Sequence, residues 1–129
     1  MRIPLILLLL GASFWCSSQI IKPIEWHQSI SISDDQTTAQ IIFNATIDSD
    51  WYLYSSDFDP ELGPNVTEFV FTPDASFELL GSIQPQAALS AYDSIFMGEY
   101  TYFKKTGTFI QNIQLKDPNY RIEGFYSYQ

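Results

Sequence analysis

Between Gln40 and Ile47 the chain reads QIIFNATI. Ile41, Phe43, Ala45 and Ile47 fall on one side and Gln40, Asn44 and Thr46 on the other, with Ile42 the single exception. A period of two sends alternate side chains to opposite faces of a pleated strand, whereas a helix would scatter the same apolar residues around its axis. This stretch therefore demands a half-buried β-strand, and any fold containing it must supply a second layer to cover its apolar row.

The rest of the chain extends that pattern. A first strand is expected around Trp26 to Ile32, where Ile30 and Ile32 alternate with serines, and Asp34-Asp35-Gln36 supplies the turn after it. Asp48-Ser49-Asp50 marks a second turn, followed by a short strand of residues with high β preference, Trp51-Tyr52-Leu53-Tyr54. Val66, Glu68 and Val70 alternate with Thr67, Phe69 and Phe71, which sends Phe69 and Phe71 to the core; Phe77 to Leu80 forms another strand, ending at Gly81. Ser94 to Lys105 and Thr108 to Leu115 are expected to pair as a hairpin across Thr106-Gly107. Gln111 then falls on the otherwise apolar face of Phe109, Ile113 and Leu115. A last strand runs from Tyr120 to Gln129, and only Gln84 to Tyr92, with Pro85 at its start, could hold a turn or two of helix. No internal repeat or long linker interrupts the series. The expected architecture is all-β, an antiparallel two-sheet sandwich of about eight strands.

The N-terminus sets the expected compartment. Arg2 precedes an apolar run from Ile3 to Leu10 that fades through Gly11, Ala12 and Ser13. The run is too short for the roughly 18 or more apolar residues of a spanning helix, and it reads as a signal peptide over residues 1–18, cleaved to leave Gln19 first. The expected mature chain is one domain over residues 19–129, periplasmic or secreted. Cys16 allows an alternative as a lipid-attachment cysteine, which would anchor the protein to a membrane, but Phe14 and Trp15 stand where such sites want small residues. Cys16 is the only cysteine, so a mature chain without it has no disulfide, no thiolate nucleophile and no cysteine-based metal site.

Charge narrows the partners. The chain carries a formal net charge of −9, and loss of Arg2 with the leader makes it one unit more negative. Such a chain repels phosphate backbones, and Lys104-Lys105 is the only basic pair, which argues against nucleic acid and against anionic membrane surfaces. Aromatic residues make up 16% of the chain, too many for a disordered tail and suited to a β core.

Motifs for catalysis or metal binding are weak. Asp57, Asp59, Glu61 and Glu68 have the spacing of calcium ligands in an EF-hand loop, but Leu62 occupies the position that needs glycine, Pro60 stiffens the turn and no helices flank it. A solvated acidic loop is the better reading, and no metal or other cofactor is expected. His27 is the only histidine and reads as an edge or surface residue. There is no G-x-S-x-G, no phosphate-cradling glycine loop and no histidine cluster for zinc. Asn44-Ala45-Thr46 and Asn65-Val66-Thr67 are formal glycosylation sequons, meaningful only in a eukaryotic secretory pathway.

An ordered set of short motifs carries a family resemblance. Trp51-Tyr52-Leu53-Tyr54-Ser55, Gly63-Pro64, Thr67-Glu68-Phe69-Val70-Phe71, Leu80-Gly81, Phe109-Ile110-Gln111-Asn112-Ile113 and Ile122-Glu123-Gly124 with Tyr128 follow one another in an order and spacing that resembles the N-terminal domain of the thiol:disulfide interchange protein DsbD, most closely in its Bacteroidetes-type versions. The resemblance spans nearly all of the mature chain. It implies an immunoglobulin-like periplasmic domain that relays electrons from a membrane partner to other periplasmic redox proteins, including those of cytochrome c biogenesis. It also implies a loop that caps the cysteine pair with an acid and an aromatic. Tyr92-Asp93-Ser94-Ile95-Phe96-Met97-Gly98 resembles that cap, with Phe96 as the shielding aromatic and Asp93 as the acid. The alternative is a plain hairpin loop whose Phe96 packs on the core.

The resemblance breaks at the chemistry. The family's first active cysteine would follow a few residues after Tyr128, and neither cysteine is present. Exchange proceeds by thiolate attack through a mixed disulfide, so no catalytic residue is assigned and the domain is expected to be redox-inactive alone. A relative shortened before its cysteines is also expected to bare a sheet edge and part of its core, which a partner or a second copy would cover. The competing expectation, from a different class, is a secreted binding or adhesion sandwich that uses exposed Trp and Tyr residues for protein or glycan contact.

Overall fold

The computed structural model describes residues 20–129; the proposed leader and Cys16, with both of its readings, lie outside the described residues. Nine strands follow in order: β1 (Ile24–Ile32), β2 (Thr38–Ile47), β3 (Leu53–Tyr54), β4 (Glu68–Phe71), β5 (Phe77–Pro85), β6 (Leu89–Asp93), β7 (Gly98–Phe103), β8 (Thr106–Leu115) and β9 (Gly124–Ser127). No helix occurs among the described residues. All pairings are antiparallel, in a four-stranded sheet β1-β2-β8-β5, a three-stranded sheet β3-β7-β6 and a two-stranded ribbon β4-β9.

The alternation in β2 builds the core. Ile41, Phe43, Ala45 and Ile47 are buried, and in register with them on β8 stand Gln111, Phe109 and Gly107, so one face of the central strand pair is continuous. Leu53 from β3 and Phe103 from β7 enter the same cluster from the other layer. Phe103 meets Phe109 edge-on with centroids 5.2 Å apart. Phe69, Phe71 and Tyr126 of the ribbon pack against the cluster as well, as the alternation of β4 predicts for its two phenylalanines. Each fully buried residue of this kind contributes about 1.5–3 kcal/mol of hydrophobic stabilisation, which makes the β2–β8 pair the energetic centre of the sandwich.

The ribbon is tied to the three-stranded sheet through β3. The amide of Ser55 donates to the carbonyl of Thr101, that of Thr67 to Ser55 and that of Tyr54 to Gln129, at 2.9, 3.0 and 3.3 Å. The second layer is thus β6-β7-β3 with the ribbon alongside. At one end the cover is incomplete: Ile30 and Leu79 are opposite the buried Ile41 and Ile113 by register, yet are 40% and 43% exposed.

Several expectations need correction. Strands β7 and β8 do not pair with each other; β7 lies between β3 and β6, and β8 between β2 and β5. The chain changes layers at Lys104-Lys105, where Lys105 takes a left-handed φ of 67° and its carbonyl accepts the amide of Ile47. Gly107 is not a turn residue but a buried spacer: a Cβ there would press into the Phe103 ring at 2.9 Å. Next, the stretch expected to hold a helical turn is the end of β5 and all of β6, joined through Ala87 at φ 54°. Pro85 is accommodated because β5 is a sheet edge, where a missing amide costs nothing to the ladder. Finally, the β3 and β9 segments are shorter than the alternation suggests, with Trp51 and Tyr52 outside β3 and Tyr120 to Glu123 outside β9.

Gln111 has a clear role. It is 2% exposed, and its Nε2 donates to the carbonyls of Gly81 and Asn112 at 3.0 and 2.9 Å. Strand β5 does not end at Gly81; it bulges there, with the register breaking between Leu80 and Gln84 and Gly81 at φ 73°. A bulge leaves backbone groups without ladder partners, and the buried amide side chain supplies one.

Candidate functional site

Asp93 and Phe96 sit on the hairpin that joins β6 to β7. Asp93 pairs with Gly98 across its neck. The Asp93 Oδ1 atom accepts the amides of Ile95 and Phe96 at 2.8 and 3.0 Å, an aspartate turn that fixes the first half of the loop. Met97 closes the second half in the left-handed region at φ 59°.

Phe96 is positioned by a second loop. Leu62 and Gly63 belong to the acidic connection between β3 and β4, and the two loops interlock through a reciprocal pair of glycines. The Phe96 ring lies so close over Gly63 that a Cβ there would collide with it, and Leu62 lies equally close over Gly98. Gly63 also needs its freedom at φ 140°. The same loop holds Gln129, whose side-chain Oε1 accepts the amide of Asn65 at 3.0 Å. Phe96, Gly63-Pro64 and the residue after Tyr128 therefore converge at one end of the sandwich. Phe96 remains 47% exposed, and Ile95 and Met97 beside it are 84% and 77% exposed, an apolar tip that packing alone does not require.

A second surface adjoins this tip. Tyr54 and Tyr102 are opposite each other in the β3–β7 ladder, and Tyr52 and Tyr100 stand two residues away on the same face. Their strand neighbours Leu53 and Phe103 point into the core, so the tyrosines face outward. The four rings form a closed quartet, with centroids 5.3 Å apart for Tyr52–Tyr54, 5.6 Å for Tyr54–Tyr100, 5.6 Å for Tyr100–Tyr102 and 5.8 Å for Tyr52–Tyr102. Phe58 extends it beside Tyr54 and Tyr100. The phenol oxygens of Tyr52 and Tyr54 share a hydrogen bond of 3.2 Å. Burial first, and then that bond and the neighbouring phenols, hold the Tyr54 hydroxyl protonated well above the ordinary tyrosine range; burial and its neighbours raise Tyr100 in the same direction. By register Asp93, opposite Gly98, lies on the same face as Tyr100, two residues further along β7, and its charge adds to both shifts. At the opposite end Lys104 Nζ stands 6.0 Å from the centroid of Tyr102.

The remaining candidates are dispersed. His27 is exposed on β1 opposite Asn44. Asp57 accepts the hydroxyl of Thr101, Asp59 caps its own turn by accepting the amide of Glu61 at 2.9 Å, and Glu68 lies in β4. Among the described residues these carboxylates do not gather into a ligand set. Asn44 of the first sequon accepts a hydrogen bond from Thr108, while Asn65 is exposed. A groove of about 290 Å³ between the ribbon and the four-stranded sheet is lined by Phe43, Phe69, Phe71 and Tyr126, with a Gln28–Tyr126 hydrogen bond of 2.9 Å at its side; it is the seam where the layers meet. The tyrosine quartet is the feature that reading the chain residue by residue misses. Its only trace is the pair of Tyr-x-Tyr repeats at Tyr52/Tyr54 and Tyr100/Tyr102, which become one surface only when β3 and β7 pair.

Comparison of the chain with family models, curated proteins and solved structures returns no match.

Proposed function

We propose that the chain is an exported, immunoglobulin-like docking domain of the thiol–disulfide interchange type, which binds its partner through the hairpin-capped end and performs no thiol exchange with its own residues. The partner on this reading is a periplasmic redox protein or a DsbD-type membrane protein. The observation that carries it is the interlock of Phe96 with Gly63 and of Leu62 with Gly98. The resemblance implies a cap loop carrying an acid, Asp93, and an aromatic, Phe96; here Asp93 fixes that loop and Phe96 rests on a second loop, at the end of the sandwich that Gln129 also reaches, which supports the reading. Residues 20–129 contain no cysteine, so the site recognises without exchanging.

The test mixes the purified chain with a periplasmic dithiol protein, first reduced and then oxidised, and follows free thiol. The expected result is no change beyond a buffer blank together with measurable binding that Phe96→Ser weakens. Exchange above the blank overturns the reading.

A second reading rests on the quartet, which places four tyrosine side chains together on the outer side of a sheet. Such platforms also stack on sugar rings, and a domain that binds neutral oligosaccharides there is an adhesion module instead. Titration with a neutral hexasaccharide separates the two.

A further inference from the structure

We propose that the outer face of β3 and β7 is a binding site for an extended, arginine-bearing segment of a protein partner, with the guanidinium groups lying on the tyrosine quartet. The inference rests on the reading of this domain as a protein binder and names the chemistry of what it binds. Three observations carry it.

First, the four rings are contiguous, outward-facing and partly open, with Tyr52 44% exposed. Aromatic faces carry negative quadrupole potential and attract a cation within about 6 Å of the centroid. Second, the protein already places a cation there: Lys104 Nζ is 6.0 Å from the Tyr102 centroid at one end of the quartet, leaving the Tyr54–Tyr100 end, beside Asp93, without a basic neighbour on these strands. Third, apart from Lys104 and the adjoining Lys105, the charges around the face are acidic. No Lys or Arg occurs between Lys22 and Lys104. Strands β3, β6 and β7 therefore contain Asp93 and Glu99 but no basic residue, and the connection flanking β3 carries Asp48, Asp50, Asp57, Asp59 and Glu61. Such a field steers a cationic segment toward the face and repels an acidic one, including a second copy of this chain and an anionic bilayer.

Arginine fits better than lysine. Its planar guanidinium stacks on a ring while still donating to a carboxylate, whereas an ammonium is a compact, strongly hydrated charge. Strand β6 is an edge of its sheet, so an extended segment can add alongside it in the sheet plane and reach across the face with its long arginine side chains.

The experiment titrates the full chain with a twelve-residue alternating Ser-Arg peptide, using Ser-Lys and Ser-Glu peptides of equal length and a neutral hexasaccharide as comparisons, and reads NMR shift changes and affinity. The expected result is perturbation centred on Tyr52, Tyr54, Tyr100 and Tyr102 by the Arg peptide, weaker effects from Lys and none from Glu. Tyr100→Leu with Tyr102→Leu weakens binding about tenfold. Tyr52→Phe and Tyr100→Phe, which keep the ring faces and guard against loss of fold, hold affinity within about threefold. Asp93→Asn weakens it about threefold. Equal binding of the Glu peptide, binding of the hexasaccharide alone, or affinity unchanged by the double leucine variant overturns the inference. Perturbation confined to Ser94–Gly98 also overturns it, but leaves the hairpin-docking reading standing, which the thiol assay and Phe96→Ser judge separately.

Discussion

The two layers of this sandwich use their aromatic residues in opposite ways. In the four-stranded sheet Phe43 and Phe109 point inward and are nearly or wholly buried, and even a polar residue, Gln111, is drawn in to close a bulge. In the three-stranded sheet only Leu53 and Phe103 go inward, while four tyrosines and the tip Ile95-Phe96-Met97 face solvent. The first layer spends its apolar surface on cohesion; the second leaves much of it available for contact. On the proposed reading recognition and stability fall to different sheets, so substitutions should separate them.

The largest expected effect tests the cohesive layer. Phe109→Ala, at a fully buried position touching Phe69, Phe103 and Trp26, should cost about 3–5 kcal/mol and leave the domain largely unfolded in a urea titration. Tyr100→Leu in the open layer should cost less than about 1 kcal/mol. Comparable losses from the two would break the division. Gln111→Leu should come next, at about 1–3 kcal/mol, since it leaves the Gly81 carbonyl without its buried donor. The same chemical denaturation measures it.

The interlock of the two loops gives a smaller and more local effect. Gly63→Ala should destabilise by about 1–2 kcal/mol, from backbone strain at φ 140° and from collision with Phe96. Part of that cost should vanish in the Phe96→Ala background, and a double-mutant cycle reads the coupling. Full additivity would mean that the ring does not rest on the glycine.

The gentlest test uses pH, and it distinguishes the layers by sign. Hydrogen bonds from Ser33 and then Thr37 hold Asp35, in the β1–β2 turn, below its ordinary value of 3.8; those from Ser76 do the same for Asp74. Their contribution is complete above that value and is lost as pH falls through the lowered folded values. Tyr54 and Tyr100 are raised above 10.0, chiefly by burial, so their contribution is complete below pH 10 and is lost as pH rises beyond it. Urea midpoints should therefore fall at both extremes. Asp35→Asn should flatten only the acid limb and Tyr54→Phe only the alkaline one.

How much of this was legible in the chain depended on whether the signal was local. The inward row of β2 and the core-facing Phe69 and Phe71 follow from period two, because alternation is a property of one strand. The misassigned β7–β8 hairpin shows the limit. Thr106-Gly107 looks like a turn, but glycine can be selected by close packing as well as by backbone conformation, and only the position of Phe103 reveals which. Gly81 similarly reads as a strand end, yet Gln111 across the ladder turns it into a bulge. Asp93 and Phe96 were visible as a pair within one loop. Leu62 and Gly63, which complete the interlock, lie in a distant loop, and the tyrosine quartet needs two strands from separate parts of the chain. Neither leaves a contiguous pattern.

The aromatic seam between the ribbon and the four-stranded sheet has a practical corollary. Trp26 lies 4.8 Å from Tyr126, 5.3 Å from Tyr128, 6.0 Å from Phe109 and 6.1 Å from Phe69, so it touches rings from β4, β8 and the β9 end at once. Trp51, by contrast, is 48% exposed, next in the chain to Tyr52. Among the described residues the two tryptophans thus lie in unlike surroundings, one shielded and one wetted. A dissolved quencher should dim the second first, and a late change in the first would report the ribbon peeling away, without any added label.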